Sequence, residues 1–314
     1  MKAFIKKSYG GPEVLKLEET QLPPLQPNEI KVRINANSVN PADWHILRGK
    51  PYFSRLIYGL FKPKYPIPGA DFAGIVEETG SACKRFKTGD NVIGANLLGG
   101  AFAEYIHVDE NNCTLVPDGL SLTELACLPI AGLTAFQATH THGNIQAGER
   151  VLINGSSGGV GHFCVQLAKN RGASVTAICS SKNKHFVESL GADEVLAYDK
   201  TNIHAHAGKY DLVIDTHGNL NFSDFKRMGQ RGVLTGFTNV GHLMAVILQS
   251  KLKGFPIAQF TAEINASDLA SLALQCSKGQ LKVHLEKVYS FDEIPNAIER
   301  LEQMHTRGKL AIAW

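Results

Sequence analysis

The segment Val151-Leu152-Ile153-Asn154, followed by Gly155-Ser156-Ser157-Gly158-Gly159-Val160-Gly161, constrains the fold of this chain more than any other. An apolar run of strand length ends in a glycine-rich turn, and the turn opens a helical pattern in which Val160, Phe163, Cys164, Leu167 and Ala168 share one face. Glycines at such a turn permit a tight bend, a close approach of the backbone to a pyrophosphate, and close packing of helix on strand. The first N–H groups of the helix add donors and the positive end of a dipole. The glycine spacing alone is a weak signal, because a packing turn that binds nothing has the same spacing. Its surroundings strengthen it. Further apolar strands begin near Val175, Val195, Leu212 and Val233, about twenty residues apart, with helix-compatible segments between several of them. Parallel strands need a crossover of about a dozen residues, so this rhythm predicts a βαβ series and a doubly wound sheet.

The second strand of the series, Ser174 to Cys179, runs into Ser180-Ser181-Lys182-Asn183-Lys184. A site for NAD usually has Asp or Glu at this strand end to accept hydrogen bonds from the ribose 2′-hydroxyl, and none stands here. Ser180 offers a hydroxyl and Lys184 a charge, which suits a 2′-phosphate and hence NADPH. The alternative is that Lys182 and Lys184 merely coat a helix start, where a cation is locally unfavourable. Tyr198, Thr216, His217, Gly236 and Phe237 follow the third, fourth and fifth strands, where a doubly wound sheet presents ligand contacts.

At 314 residues the chain has room for two domains. The first third is rich in Gly and Pro, with short apolar runs at Ala3 to Ile5, Ile30 to Ile34, Phe72 to Val76, Val92 to Ile93 and Phe102 to Val108, and reads as irregular and β-rich. After about residue 262 the chain returns to that first domain. Ile294, Ala297, Ile298, Leu301 and Met304 form a helical stripe there, with Asp292 as N-cap and Pro295 in the first turn. The expected division is 1–121 together with 263–314, and 122–262 between them.

A net charge of +3, spread without runs of like sign, gives nucleic-acid binding no support. No stretch reaches the roughly 18 to 20 apolar residues that cross a bilayer, and no apolar signal core follows Met1, so a cytoplasmic protein with no membrane partner is the default expectation. The six cysteines form no C-x-x-C pair and read as mostly buried, reduced thiols. His140 with His142 and His204 with His206 form H-x-H pairs, read as solvated loops rather than metal ligands.

Several motifs in order carry a resemblance. They are Gly10-Gly11-Pro12-Glu13-Val14-Leu15, Ser38-Val39-Asn40-Pro41-Ala42-Asp43, Pro66-Ile67-Pro68-Gly69-Ala70-Asp71-Phe72-Ala73-Gly74, Gly89-Asp90-Asn91-Val92, Leu128-Pro129-Ile130-Ala131-Gly132-Leu133-Thr134-Ala135, the glycine turn, Ser189-Leu190-Gly191-Ala192-Asp193 and Arg307-Gly308-Lys309. The chain resembles the quinone oxidoreductase and zeta-crystallin branch of the medium-chain dehydrogenases and reductases, including the enone and alkenal reductases. That resemblance implies an α/β protein, with a GroES-like β-rich catalytic domain built from both chain ends and a Rossmann domain between them.

Zinc-dependent relatives place a Cys just after the third strand and Gly-His-Glu in the Pro-Gly segment. Here those positions read Asn40-Pro41-Ala42-Asp43 and Gly69-Ala70-Asp71, so two of three expected ligands are missing and no metal is expected. The resemblance implies hydride transfer from NADPH to a quinone or an α,β-unsaturated carbonyl compound. In such a conjugate addition the charge develops on an oxygen that hydrogen bonds stabilise. It carries Asn40 to a place beside the nicotinamide and Thr134 to the floor of the cleft. Tyr52 is the candidate phenol for the substrate carbonyl; alternatively it packs with Phe53 and Tyr58 as lining. Asp43 and His45 are read as shaping the loop. Relatives often pair through the edge of the Rossmann sheet, and Phe255 to Phe260 supplies a candidate edge for a homodimer. The other reading is an NADPH-binding regulatory or crystallin-like protein with little turnover.

Overall fold

The computed structural model describes residues 1–208 and 210–314. The chain divides into two compact units, Met1–Ala131 with Ile264–Gly279 and Val283–Trp314, and Gly132–Glu263 with Gln280–Lys282.

The second of these is a doubly wound unit. Its six strands are all parallel, in the spatial order Glu194–Ala197, Ser174–Cys179, Arg150–Asn154, Tyr210–Asp215, Gly229–Leu234, Ile257–Gln259. Four of the first five begin within two residues of where the apolar rhythm places them, and Gly229–Leu234 begins four residues ahead of Val233. The order reverses between Arg150–Asn154 and Tyr210–Asp215, and a sheet of this kind opens its ligand crevice at the carboxyl ends on either side of that reversal. Leu152, Ile178, Val213, Phe225 and Leu234 fill the core, each buried between sheet and helix.

The helix after the glycine turn, Gly161–Asn170, departs from the single apolar face expected of it: every residue from Gly161 to Ala168 is buried. Its polar members are accommodated by hydrogen bonds. Gln166 Nε2 donates to the carbonyls of His162 and Lys282, both at 3.0 Å, and its Oε1 accepts from Lys282 N at 2.8 Å. A buried amide is stable here because its donors and acceptor are met.

The histidine pairs are not simply solvated loops. A π-helical turn, Gln137–Thr141, places the half-buried His140 ring on Phe136 with centroids 4.1 Å apart, and His142 stacks on Phe260 at 4.2 Å. Burial, with the Arg171 charge nearby, lowers the His140 pKa to about 4. His204 Nδ1 lies 2.9 Å from Asp224, and His206 Nε2 lies 3.0 Å from the Tyr210 hydroxyl. Short aromatic neighbours and nearby acceptors, invisible in the local composition, explain the difference.

The other unit is built on a sheet in the order Leu285–Ser290, Lys309–Ala313, Glu29–Ser38, Asp71–Thr79, Asn91–Ala95, Cys113–Leu115, with Tyr105–Asp109 also paired to Glu29–Ser38. Ile30, Val32, Ile34 and Ala36 alternate inward along the long strand, the period-two pattern of a half-buried sheet. The last strand pairs antiparallel with it, Ala311 opposite Ser38, which ties the carboxyl-terminal segment into the first unit. The helix Ile294–Glu302 buries Ile294, Ala297 and Ile298 against Phe4, Val39 and Leu310. Two expectations fail at its ends. The capping box belongs to Ser290 and Glu293 and opens the 3₁₀ turn Phe291–Glu293, with its cap two residues before Asp292, and Met304 lies beyond the helix with φ +58°. All six cysteines are free thiols.

Candidate functional site

Each unit carries a part of the expected site. In the doubly wound unit, the glycine turn Gly155 to Val160 leaves the strand and Gly161 begins the helix. Gly155 sits at φ +79°, and a Cβ there would lie 2.7 Å from Thr216 Oγ1. A Cβ on Gly161 would lie 2.1 Å from the carbonyl oxygen of Gly155. A Cβ on Gly158 would meet, among the described residues, only that same carbonyl, at 3.4 Å, which leaves one face of the turn open for a ligand to approach.

The serines of the turn have separate roles. Ser156 is fully buried and its hydroxyl donates to Ile178 O at 2.8 Å, pinning the turn to the neighbouring strand. Ser157 Oγ accepts from Asn183 Nδ2 at 3.1 Å, linking the turn to the 3₁₀ segment Ser181–Asn183. Ser180, buried at the end of the second strand, has a hydroxyl with no hydrogen-bond partner among the described residues. An unmet buried hydroxyl costs stability, so this one marks a place where a ligand atom is wanted. Lys184 opens the helix Lys184–Ser189 and is held only by an exposed contact to Glu188 at 3.8 Å.

Asp199 was not anticipated. Ala197 pairs with Cys179, so the residue two positions on reaches Ser181, and its carboxylate accepts from Ser181 N at 2.7 Å and from Ser181 Oγ at 2.5 Å. These donors hold its pKa below the usual carboxylate value. A carboxylate therefore does stand near this strand end, with both oxygens already engaged. Tyr198 beside it is half-exposed and its N–H donates to Cys179 O at 3.0 Å.

Beyond the fourth strand, Asp215 organises the turn that holds Thr216 and His217. It is fully buried and accepts from the backbone N–H groups of His217 at 3.0 Å, Gly218 at 2.8 Å and Leu220 at 2.9 Å, and from Asn154 Nδ2 at 2.8 Å. Burial pushes its carboxyl above the ordinary value against the pull of these donors. Thr216 Oγ1 donates to Asn154 O at 2.8 Å, so this hydroxyl braces the cradle. Gly236 and Phe237 pack backbone to backbone on that turn: a Cβ on Gly236 would lie 2.7 Å from Thr216 O, and one on Gly218 2.4 Å from Phe237 Cα. The structure thus gathers Gly155, Thr216, His217, Gly236 and Phe237 at one set of strand ends, and Ser180, Lys184 and Tyr198 at the neighbouring set. Thr134 lies in this unit too, buried on the helix Pro129–Phe136.

In the β-rich unit Asn40 caps the helix Pro41–Arg48 and is 2% exposed. Its N–H donates to Asp43 at 2.7 Å, its side-chain amide donates to Asp71 Oδ2 at 2.8 Å, and its Oδ1 accepts from Lys309 Nζ at 2.5 Å. Asp71 accepts further from Ser38 Oγ at 3.1 Å and Ile130 N at 3.0 Å, and lies 3.9 Å from Lys309 Nζ. Burial raises the Asp71 pKa and lifts that of Asp43 to about 7, in the latter case with the Asp71 charge adding to the effect. Lys309 and Asp71 are site residues that sequence reasoning passed over. Tyr52 stands apart from this network: it is 67% exposed, with the Arg55 guanidinium 5.0 Å from its ring.

Among the described residues no group of three or more His, Cys, Asp or Glu side chains is placed to hold a metal ion. Comparison with known proteins settles the family. Residues 26–118 match the alcohol dehydrogenase GroES-like domain, and residues 190–312 match a domain described as zinc-binding dehydrogenase. A chloroplastic quinone-oxidoreductase homolog of Spinacia oleracea is 42% identical over 96% of this chain and 95% of its own length. The chain belongs to the quinone-oxidoreductase branch of the medium-chain dehydrogenases and reductases. A 2-methylene-furan-3-one reductase of Solanum lycopersicum is 32% identical over 99% of this chain and 79% of its own length. The solved quinone oxidoreductase of Coxiella burnetii superposes with a TM-score of 0.90 at 30% identity, covering 100% of this chain and 99% of that one.

Within this quinone-oxidoreductase branch, the signal that identifies Lys309 and Asp71 is a charge inside an apolar strand. Lys309 opens Lys309-Leu310-Ala311-Ile312-Ala313, and Asp71 opens Asp71-Phe72-Ala73-Gly74. A charged residue buried in such a run requires a partner, and here each is part of the other's answer. Asp215 carries the same signal, ending Leu212-Val213-Ile214.

Proposed function

We propose that this quinone-oxidoreductase relative reduces quinones and α,β-unsaturated carbonyl compounds with NADPH, and that it does so without a catalytic metal. The observation that carries the cofactor assignment is the buried Ser180 hydroxyl, left without a partner at the strand end where an adenosine ribose lies in this fold, with the Lys184 ammonium close in sequence and nearly free. Their chemistry fits a 2′-phosphate, and each oxygen of the nearby Asp199 carboxylate already accepts a hydrogen bond from Ser181. The open face of Gly158 and the N–H groups that begin Gly161–Asn170 fit the pyrophosphate. When bound, the dinucleotide supplies the hydride. Thr134 is proposed to contact the nicotinamide from the doubly wound unit and Asn40 from the β-rich unit, Asn40 as a residue whose side chain is locked by Lys309 and Asp71. Tyr52 is the proposed donor to the substrate oxygen. The names of the relatives, which specify quinone and furanone reduction, support this substrate class. Turnover of NADPH with enones, enals and quinones tests it, and tight NADPH binding with no turnover on any of them favours the regulatory reading instead.

The metal-free reading rests on Lys309. Its ammonium lies 2.5 Å from Asn40 Oδ1 and 3.9 Å from Asp71 Oδ2, within the two segments in which zinc-dependent relatives are expected to place ligands. A divalent cation there would meet a buried positive charge. Protein purified without chelator is expected to hold far less than one zinc per chain, with activity unchanged by EDTA. Elemental analysis returning stoichiometric zinc contradicts it.

A homodimer is also proposed. Ile257–Gln259 forms an open edge of the parallel sheet, and Met244, Leu248 and Leu252 leave an exposed apolar stripe on the helix Val240–Lys253 of the same unit. Light scattering at micromolar concentration is expected to give twice the mass of the 34.1 kDa chain. A monomer mass refutes the assignment.

A further inference from the structure

One face of the β-rich unit is apolar, basic and uncovered. The 3₁₀ turn Tyr52–Ser54 and the helical turn Arg55–Tyr58 lead into Leu60 and Phe61, and six large apolar side chains are exposed along this stretch: Tyr52, Phe53, Leu56 (79%), Ile57, Leu60 and Phe61 (86%). Their exposure is not the result of a loose segment. Tyr9 Oη donates to Gly59 O at 2.5 Å, Tyr58 Oη donates to Leu97 O at 3.1 Å, and Arg55 Nε donates to Gly49 O at 3.0 Å, so the backbone is pinned while the apolar groups face outward. Isolated exposed apolar residues need no explanation, but six within ten positions do.

The charges decide what covers them. Lys50, Arg55, Lys62 and Lys64 lie in the same stretch, and none of the four forms an ion pair with an acidic side chain among the described residues. From Trp44 to Ala70 the chain contains no Asp or Glu at all. Aromatic and aliphatic groups flanked by cations without acidic partners are the chemistry of an interfacial contact with acidic lipid headgroups, in which the apolar groups enter the acyl boundary and the lysines stay among the phosphates.

We propose that residues 50–64 dock this protein on an anionic lipid surface. Among the described residues no helix is long and apolar enough to cross a membrane. Surface docking needs none, and the expectation of no membrane partner rested on the lack of a span and of an apolar signal core, neither of which bears on surface docking. The inference shares Tyr52 with the proposed reaction but is tested apart from it, because binding is read without cofactor or acceptor.

The test is co-sedimentation of the full chain with vesicles of phosphatidylcholine alone and of phosphatidylcholine containing roughly one third phosphatidylglycerol. A cation near an acidic surface is worth about fivefold and a buried large apolar side chain about tenfold or more in partition. Binding to the acidic vesicles is expected to be at least about tenfold tighter than to the neutral ones, and to weaken in high salt. Lys62→Glu with Lys64→Glu, and separately Leu56→Ser with Phe61→Ser, are each expected to reduce it at least about tenfold while near-ultraviolet circular dichroism stays that of the wild type. No partition onto acidic vesicles, equal partition onto both kinds, or undiminished partition of both folded variants overturns the proposal. So does a wild-type mass that falls by half in Leu56→Ser with Phe61→Ser without any vesicle binding, which makes this face an interface between copies of the chain.

Discussion

Gly161→Ala is expected to weaken NADPH binding by about a hundredfold or more, a loss of at least about 2.7 kcal/mol. The added Cβ falls 2.1 Å from the Gly155 carbonyl oxygen and 2.8 Å from Ser156 Cα. Both are backbone atoms held by hydrogen bonds to Ile178, so neither yields as a flexible side chain would. The turn has to open, and opening it moves the N–H groups proposed to receive the pyrophosphate. Alanine is favoured over glycine within a helix, so the helix Gly161–Asn170 itself is not weakened and the damage falls on the turn. Titration of cofactor fluorescence measures the effect. An affinity within about threefold of wild type shows that the turn does not contact the dinucleotide.

Lys309→Met is expected to cost about 3 to 5 kcal/mol of stability, because it leaves a buried carboxylate without its cation. Asn40 Oδ1 and Val39 O lose their donor, and Asp71 keeps its place with no positive charge nearby to offset burial. For a cooperative unit of this size the midpoint of thermal unfolding should fall by roughly 10 °C. The loss should also depend on pH. The Asp71 pKa is already raised in the folded protein, and removing the ammonium raises it further. The folded state then holds a proton that the unfolded state releases, so stability drops as pH rises from the ordinary carboxylate value toward the raised one. Calorimetry at pH 5 and pH 8 should show the larger deficit at pH 8. An equal deficit at both shows that Asp71 is not left charged and unpaired.

The parallel sheet was legible because its cause is local. Strands at Val151, Val175, Val195, Leu212 and Val233 announce themselves by apolar runs separated by crossover lengths, and the glycine turn by its position between strand and helix. The helix Gly161–Asn170 was misread as one-faced because Gln166 and His162 look like a solvent side until Lys282, more than a hundred residues away, supplies the partner for Gln166. Asp199 escaped notice for a related reason. Its approach to Ser181 depends on the register of Ala197 against Cys179, which composition does not encode. The Asn40 network shows the same limit at greater distance, since Lys309 and Asp71 meet only when the last strand pairs with the long third one. For Tyr52 the sequence leaves open a phenol facing the substrate or lining packed with Phe53 and Tyr58, and the structure places Tyr52 and Phe53 on an exposed apolar face.

The most direct test of the proposed NADPH-dependent reduction is the ratio of kcat/KM for NADPH over NADH, measured with one enone and one quinone in the wild type, Ser180→Ala and Lys184→Ala. A charged contact to a phosphate is worth about 1.5 to 3 kcal/mol, and the weak Lys184 to Glu188 pair that it replaces is worth only about 0.3 to 0.5. The wild type should therefore favour NADPH by at least about tenfold, through KM, since the 2′-phosphate is remote from the reacting carbon. Each variant should erode that preference by raising KM for NADPH while leaving NADH nearly unchanged. A wild-type preference for NADH, or an equal loss with both cofactors in the variants, contradicts the assignment of Ser180 and Lys184 to phosphate recognition, and no oxidation of either cofactor by any acceptor contradicts the reaction itself.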